Sequence, residues 1–494
     1  MKRVLVFIGA LLTAAALAAS PGAAELPIPS LPPVFGPSFI GHAATAQPLA
    51  HNAVPQNPYL GRNGYNSMHN DAYSSNGYAV SGPLGRNLQV TTATYGVTEC
   101  ATIAFDSHGR IVGLCGGLQG FALSLIDPVT LHQIATMTTS TRDLTQLQNP
   151  FTDLCGGTYF YLDSHDRAWV LTTKKQIIEV QVTDTGFTLV HTYDAASAMA
   201  ASDCMIATMP DWRGNIFFAT KAAKVGVINP TTGVVKTLQF GTTAAPEEIE
   251  NSISGDETGG IYVVTDHRLA AVAANSVGAP VVRWQTPYDR GTVMKPGQLS
   301  QGTGTTPALL GTNLVAITDN AEPRMHVQFY YRTGPNAGKL ICQAPVFAAG
   351  QSDTENSLTV ADGNSVIVEN NYGYTGPTST ILGKTTAPGV AKVVLTAAHT
   401  CVAAWTNPIS APTSVPKISW GNGLVYVYSK EASSNPLDDD WFFTAINART
   451  GATVWKQATG NGIQWNNHYA SIYIGPDGAA YISTLMGLIR FKDS

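Results

Sequence analysis

Short segments of alternating apolar and polar residues recur along most of the chain, each followed by a turn and a second apolar segment. In residues 100–114, CATIAFDSHGRIVGL, the two halves flank the turn at 106–109. Alternation with period two around Asp, Asn and Gly is typical of β-hairpins. No segment of useful length has the 3.6-residue period of an amphipathic helix. The pattern therefore predicts an all-β protein.

The hairpin pattern returns about every fifty residues, and an acidic residue often stands just before it. Third and fourth strands follow, as in residues 443–456. Four strands at this period are typical of a propeller blade, which buries its faces against its neighbours. We predict a single β-propeller of eight four-stranded blades, with seven blades as the alternative. The eight units begin at or beside Glu99, Asp153, Asp203, Glu250, Thr306, Glu355, Val415 and His468.

The last unit ends early, at residues 487–494, so its blade needs a strand from elsewhere. Residues 86–96 precede the first full unit and have no hairpin partner. We predict that a strand at 88–94 completes the blade that begins near His468 and closes the ring. Closure removes the free sheet edges that invite aggregation, and we expect a monomer.

The N-terminal residues are typical of a secretory signal: Lys2 and Arg3, an apolar run, then small residues ending at Ala24. The alternative is a retained membrane anchor, although no later segment has eighteen uncharged apolar residues. We expect a signal peptide at 1–24, a Pro- and Ala-rich extended arm at 25–85 and the propeller at 86–494. The predicted location is secreted or periplasmic.

Charged residues make up 12% of the chain, and the net charge of -5 includes no basic block. Nucleic acid is therefore not an expected partner. Six cysteines fit disulfides in an oxidising compartment, and none forms a CxxC pair. Cys100 and Cys115 face each other across the first hairpin, Cys155 and Cys204 begin neighbouring blades, and Cys342 with Cys401 follows by elimination.

Residues 443–455, FTAINARTGATVW, resemble the repeat of the pyrroloquinoline-quinone-like (quinoprotein-type) β-propellers. The resemblance implies a Thr-Gly turn before the outer strand and a Trp packed between blades, with Trp284 and Trp405 at related places. It also implies quinone-dependent oxidation of alcohols or sugars. The chain lacks the vicinal Cys-Cys pair of many such dehydrogenases and a CxxCH haem motif, which argues against pyrroloquinoline quinone as a cofactor.

In propellers of this kind the residue before each innermost strand lies where the chain passes from the rim to the central channel. The acidic residues should therefore gather at one channel mouth. Their hard oxygen donors suit Ca²⁺ or Mg²⁺, which could act as a Lewis acid in a hydrolase or lyase. The favoured alternative is structural: each carboxylate accepts backbone N–H groups and secures a strand. The candidates are Glu99, Asp153, Asp203, Glu250, Asn251, Glu355, Asn356 and His468.

Three other polar clusters rank below this ring. The segment His69-Asn70-Asp71 is expected to form a solvated loop, with a loop folded over a channel mouth as the alternative. Asp266-His267 and residues 369–372 each follow a predicted strand, where a lone His is more often hydrogen-bonded at the surface than a ligand.

Three functions are compatible with these residues. GxSxG and HExxH motifs are absent, as is a Gly-rich loop before a helix. The first hypothesis is a propeller that binds a small polar ligand, sugar- or lactone-like, at the channel mouth. This hypothesis is compatible with hydrolase or lyase activity and with binding alone. The alternatives are a non-catalytic scaffold for a cell-envelope protein and a quinone-dependent oxidoreductase. The sequence does not determine whether the protein is an enzyme.

Overall fold

The computed structural model describes residues 25–32, 34–142 and 153–494, so the predicted signal peptide at 1–24 lies outside the described residues. Eight four-stranded sheets, all antiparallel within the blade, surround a central channel. The predicted eight-bladed all-β propeller is confirmed. Helical structure in the described ranges is limited to three 3-10 turns, Ala196–Ala198, Pro377–Thr380 and Ile463–Trp465.

We number the blades in chain order and give each from its innermost to its outermost strand. Blade 1 contains Glu99–Phe105, Ile111–Gly117, Gly120–Ile126 and Gln133–Thr141; blade 2, Phe160–Leu162, Arg167–Leu171, Gln176–Thr183 and Gly186–Asp194; blade 3, Met205–Pro210, Ile216–Thr220, Lys224–Ile228 and Val235–Gln239; blade 4, Ser254–Gly255, Ile261–Val264, Arg268–Ala274 and Pro280–Pro287. Blade 5 contains Ala308–Leu310, Leu314–Thr318, His326–Tyr331 and Leu340–Pro345; blade 6, Thr359–Val360, Ser365–Glu369, Val390–Leu395 and Cys401–Asn407; blade 7, Lys417–Ser419, Leu424–Ser429, Asp440–Asn447 and Thr453–Asn461; blade 8, Ile472–Ile474, Ala480–Thr484, Gly487–Lys492 and Gln89–Thr94.

Three further strand pairings lie outside this plan. Phe39–Gly41 adds to the outer edge of blade 7, and Gly77–Tyr78 adds to its inner edge. Gly241–Thr242 and Ala245–Pro246 form a small separate hairpin. No helix among the described residues is long and apolar enough to cross a membrane.

The ring closes as predicted, because the outermost strand of blade 8 comes from the N-terminal part of the chain. Gln89 pairs with Lys492 and Thr94 pairs with Gly487, antiparallel throughout. Asp493 fixes the segment that leads into this strand, because its carboxylate accepts the backbone N–H groups of Leu84, Gly85 and Arg86 at 2.6–3.0 Å. The two ends of the propeller are thus joined in one sheet.

Neighbouring blades pack face to face, and tryptophans connect them. Trp284 and Trp405 lie in the outermost strands of blades 4 and 6. Each donates its indole N–H to a backbone carbonyl of the next blade, at Arg332 and Ala448, with a distance of 3.1 Å in both cases. Trp455 of blade 7 is fully buried. The two indole hydrogen bonds connect blade 4 to blade 5 and blade 6 to blade 7.

One end of the channel is closed by residues 65–78, which we call the plug. Its carbonyl oxygens accept backbone N–H groups from six blades in ring order, at 2.7–3.2 Å. The donors are Phe105, Leu162, Gly255, Leu309, Val360 and Ile418, in blades 1, 2, 4, 5, 6 and 7. These donors lie at or next to the carboxyl ends of the innermost strands. The plug thus satisfies backbone groups that the inner edges of the blades would otherwise leave unpaired.

The composition of the plug explains its path. Asn70, Ser74 and Asn76 adopt positive φ angles of 78°, 54° and 56°, a region that Asn tolerates better than most residues. Asp71 accepts hydrogen bonds from Tyr73 and Ser75 within the segment. These local bonds allow a tight, irregular course without a helix or a sheet.

The expectation of a solvated loop at residues 69–71 is wrong. His69, Asn70 and Asp71 are at most 5% exposed. The ammonium of Lys417 donates to the carbonyl of Met68 at 2.6 Å and to the side-chain oxygens of Asn70 and Asn76. The plug is polar because its side chains bond to one another and to the blades, and not because water surrounds it.

The structure forms the three disulfides Cys100–Cys115, Cys155–Cys204 and Cys342–Cys401. The first lies within blade 1, where the two residues are directly opposed. The second joins the segments that lead into blades 2 and 3. The third joins the outermost strands of blades 5 and 6.

Reduction without denaturant should open Cys155–Cys204 and Cys342–Cys401 before Cys100–Cys115. Cys100 and Cys115 are 0% and 3% exposed, whereas the other four cysteines are half-buried. An attacking thiolate needs access to the disulfide sulfur. Timed alkylation and peptide mass spectrometry measure the order, and unfolding the chain first should abolish it. Early labelling of Cys100 in the folded protein would contradict this prediction.

Candidate functional site

A cavity of about 350 Å³ occupies the channel on the inner side of the plug. Met68 and His69 of the plug form its floor, and the beginnings of the innermost strands form its walls. Because the plug closes the other end, the cavity is a blind pocket with one mouth. Apolar side chains line much of it: Val97, Leu118, Phe121, Leu154, Leu299, Val415 and Leu485.

Seven of the eight residues proposed from sequence line this cavity. They reach it from blades far apart in the chain, because each stands at or just before an innermost strand. The seven are Glu99, Asp153, Glu250, Asn251, Glu355, Asn356 and His468.

Asp203 does not line the cavity. Its carboxylate accepts the backbone N–H groups of Cys204 at 2.8 Å and Ala222 at 2.9 Å, so it stabilises the start of blade 3. The unit that begins at Asp203 follows the repeat in sequence, but its acidic side chain has a local structural role.

Two of the four cavity carboxylates have a cationic partner. Arg142, which follows blade 1, contacts Asp153 at 3.1 Å and lies over the ring of Phe121 at 4.4 Å. Lys221 of blade 3 contacts Glu250 at 2.7 Å. Burial raises the pKa of Glu250, and the Lys221 charge opposes that shift. Each cation comes from the blade before the carboxylate that it neutralises.

Glu99 and Glu355 have only backbone donors to balance their burial. Burial raises the pKa of Glu99 well above its usual value, and an N–H of Ala470 opposes the shift. Burial also raises the pKa of Glu355 well above its usual value, and the charges of Glu250 and Asp353 add to it. The N–H of Leu299 donates to Glu355 at 3.2 Å. Burial therefore favours the protonated form of both residues more than it does for a carboxyl group in water.

Two more acidic residues lie behind Glu355. Asp353 is 1% exposed, and neither of its carboxylate oxygens has a hydrogen-bond partner among the described residues. Burial raises its pKa to about 8, although Lys295 opposes the shift. Glu369, also buried, accepts a hydrogen bond from the side chain of Asn356. The sector formed by blades 4 to 6 is therefore rich in carboxyl groups.

His468 and Tyr374 form a polar contact at the wall of the cavity. The phenol oxygen of Tyr374 lies 2.9 Å from Nδ1 of His468, and the backbone N–H of His468 donates to Asn466. His69 on the floor lies 3.2 Å from Oδ1 of Asn76 and 3.3 Å from Oγ1 of Thr306. Both imidazoles are therefore held in place by defined partners.

The cavity residues do not fit a single bound metal ion. Among the described residues, one group of three His, Cys or carboxylate ligand atoms lies within 4.8 Å of one another, and it consists of Glu247, Asp266 and His267. That group lies outside the cavity, and its carboxylates already pair with Arg268 and Arg290. Among the described cavity residues, no three His, Cys or carboxylate ligand atoms come within 4.8 Å of one another, as several direct bonds to one Ca²⁺ or Mg²⁺ would require.

Pyrroloquinoline quinone does not fit either. Three carboxylates on that cofactor would require cationic partners, whereas Arg142 is the one Lys or Arg among the described lining residues, and Asp153 already neutralises it. The described lining therefore offers no uncommitted Lys or Arg to the carboxylates of such a ligand.

Several lining residues were not identified from the sequence. Met68 enters the site through the plug, which has no counterpart in the repeat, and His69 was ranked below the acidic ring although the alternative of a loop over the channel mouth placed it near the carboxylates. Arg142 and Tyr159 lie between the repeated hairpins. The density of Asn, Ser and Asp in residues 66–76 was the available signal, because such residues mark compact irregular segments.

The fold and the cavity define the class of protein: an eight-bladed β-propeller with a plugged channel and an acidic blind pocket. No protein-family model matches the chain. An uncharacterized protein of Archaeoglobus fulgidus is 30% identical over 307 residues, which cover 56% of this chain and 58% of that protein. The chain thus spans less than two thirds of that relative.

The solved structures similar to this chain include several propellers. A streptogramin B lyase has a TM-score of 0.41 at 8% identity and covers 82% of this chain and 98% of its own. The WD40 domain of Toxoplasma gondii coronin has a TM-score of 0.38 at 10% identity, covering 84% and 89%. A functionally unknown protein from Desulfotomaculum acetoxidans has a TM-score of 0.37 at 9% identity, covering 69% and 91%. These similarities concern the fold alone.

Proposed function

We propose that the protein binds a small organic molecule in the blind cavity. The observation that carries this proposal is the combination of an enclosed space of about 350 Å³, apolar walls and a few convergent polar groups. Small-molecule sites in proteins have this construction, within a volume range of roughly 300–1,000 Å³. The rigid ring of blades holds the walls in place before the ligand arrives, which reduces the entropy that binding costs.

The lining supports a ligand with a polar end and an apolar face, of the size of a sugar or a lactone. Carboxyl and amide groups of Glu99, Asn251 and Glu355 can bond hydroxyl groups, and the rings of Tyr159 and Tyr469 offer apolar surfaces. We propose that the protein acts outside the cytoplasm, which the three disulfides support because such bonds persist in oxidising compartments.

A panel of sugars, amino sugars, amines and lactones should include compounds that raise the melting temperature of the protein further as their concentration increases. A ligand at about 100 times its dissociation constant stabilises the folded state by about 2.7 kcal/mol. Val97→Trp should abolish this stabilisation, because Val97 lines the mouth of the cavity. Calorimetric melting with and without each compound measures both effects.

Val129→Trp is the matched control. Val129 is exposed like Val97 but lies in the turn before the outermost strand of blade 1, away from the cavity. The control variant should respond to the same compounds as the wild-type protein. Binding that survives Val97→Trp unchanged, or a panel in which nothing stabilises the wild-type protein, would overturn the proposed function.

A further inference from the structure

We infer that the ligand of this cavity carries a protonated nitrogen, which a carboxylate of Glu99 or Glu355 balances while the rest of the molecule contacts the apolar wall. The inference rests on the proposed binding function and names the chemical class of the ligand. It follows from the charge balance of the cavity and from the groups that the lining presents.

The cavity has more acidic than basic groups. Four carboxyl groups line it, and Arg142 and Lys221 neutralise Asp153 and Glu250. No lysine or arginine among the described residues lies within 4 Å of Glu99 or Glu355. A ligand with one positive charge would therefore supply the missing partner to these two residues.

The side-chain amides of the wall are partly used by the protein. One N–H of Asn251 donates to the carbonyl of Thr303 at 3.1 Å, and one N–H of Asn356 donates to Glu369. The amide oxygens of both residues, together with the carboxyl groups, offer acceptors to a ligand. An ammonium group is a donor only, and these acceptors suit it.

The arrangement of the ligand atoms favours an organic cation over a metal ion. Ca²⁺ or Mg²⁺ needs several oxygens around one centre, and among the described cavity residues no three His, Cys or carboxylate ligand atoms lie within 4.8 Å of one another. An ammonium on an organic body can bond to one carboxylate while the other contributes through its field. Tyr159 and Tyr469 line the same region and offer ring faces to a cation.

The proton balance of the site agrees with this geometry. Burial raises the pKa values of Glu99 and Glu355 because the ionised forms lack compensation. A bound cation supplies that compensation and lowers both pKa values, so an amine should displace protons from the site as it binds. A neutral ligand would not produce this release.

Two pairs of probes test the inference: glucosamine against glucose, and phenethylamine against 2-phenylethanol. Within each pair the molecules differ mainly in the charged nitrogen. At least one amine should bind at millimolar concentration or below, at least tenfold more tightly than its neutral partner. Isothermal titration in two buffers of different ionisation enthalpy should also detect proton release with the amine.

The variants Glu99→Gln and Glu355→Gln should each weaken amine binding by about 100-fold and weaken binding of the neutral partner by less than about tenfold. Glu431→Gln, at an exposed position in blade 7, is the matched control and should bind like the wild-type protein. If a variant fails to fold, the amine and alcohol comparison on the wild-type protein still decides the question.

The outcomes separate this inference from the proposed function. Equal affinity within both pairs, or amine binding that neither Gln variant weakens, would overturn the assignment of a cationic ligand and leave a binding cavity in place. If neither amine binds but a neutral compound of the wider panel does, the inference is again wrong. If no compound binds, both proposals fail.

Discussion

Replacing Arg332 by Met should destabilise the protein by about 3–5 kcal/mol, the usual cost of leaving a buried charge without its partner. The side chains of Arg332 and Asp256 are fully buried and form an ion pair between blades 5 and 4. Arg332 also donates to the hydroxyl of Tyr73 in the plug at 2.8 Å and to the carbonyl of Gly311 at 2.7 Å. One side chain therefore connects two blades and the plug.

The charge of the Asp256 carboxylate explains the size of the effect. Burial would raise the pKa of Asp256, but hydrogen bonds from Thr258 and Tyr262 and the charge of Arg332 lower it below its usual value. The carboxylate is thus ionised in the native protein. Met cannot balance that charge, although it fills a similar volume.

Arg283→Met is the matched control for this prediction. Arg283 is exposed and donates to the hydroxyl and carbonyl of Thr258, two residues from Asp256. Because water replaces these bonds, the control should cost less than about 1 kcal/mol. Urea denaturation of both variants measures the difference. If both variants lose the same unfolding free energy, the buried ion pair and hydrogen bonds of Arg332 do not stabilise the ring.

Acidification should destabilise the wild-type protein more than a His69→Asn variant, by roughly 3 kcal/mol between pH 7 and pH 4. Burial lowers the pKa of His69 to about 3, and the charge of Lys417 lowers it further, against a hydrogen bond with Asn76. The unfolded chain has a His pKa of about 6.5. Between these values the unfolded state binds one more proton, so stability is lost as the pH falls through this window.

The comparison must be made between variants, because other buried groups act in the opposite direction. Burial raises the pKa of Asp71 to about 6, despite hydrogen bonds from Ser75 and Tyr73. Ionised Asp71 therefore destabilises the folded state above that pH, and protonation relieves it. Asp71 is present in both wild type and His69→Asn, so its contribution drops out when the two unfolding free energies are subtracted.

His399→Asn is the control, since His399 is exposed in a turn of blade 6. The difference in unfolding free energy between His399→Asn and wild type should not change with pH. Denaturant titrations at several pH values between 4 and 7 give the required free energies. If the difference in unfolding free energy between wild type and His69→Asn is constant over this range, His69 is not buried in its neutral form.

Both predictions concern the plug, which links stability to the candidate site. The segment that pairs with the inner edges of the blades also supplies Met68 and His69, which form the floor of the cavity. A change that loosens the plug should therefore alter ligand binding as well as stability. The resemblance of residues 443–455 to pyrroloquinoline-quinone-like repeats remains a prediction, and the acidic lining of the cavity argues against that cofactor.

The sequence by itself determined the blades and the closure of the ring. Hairpin signals are local, because the turn residues and the alternation that define a strand pair lie within about twenty residues of each other. The fifty-residue period then sets the number of blades, and the short last unit requires the strand at Gln89–Thr94. Equivalent positions of a closed ring lie at the same end, which places Glu99 and Glu355 at one mouth.

Only the tertiary structure decided how these acidic residues are used. Asp153 and Asp203 occupy equivalent positions in the repeat, yet one lines the cavity and the other caps a strand. The cations that neutralise Asp153 and Glu250 come from preceding blades, at distances that no local pattern encodes. The position of the plug was not predictable for the same physical reason. Its backbone carbonyl oxygens accept backbone N–H groups of the blades, and because every residue carries a carbonyl, these partners leave no signature in the sequence.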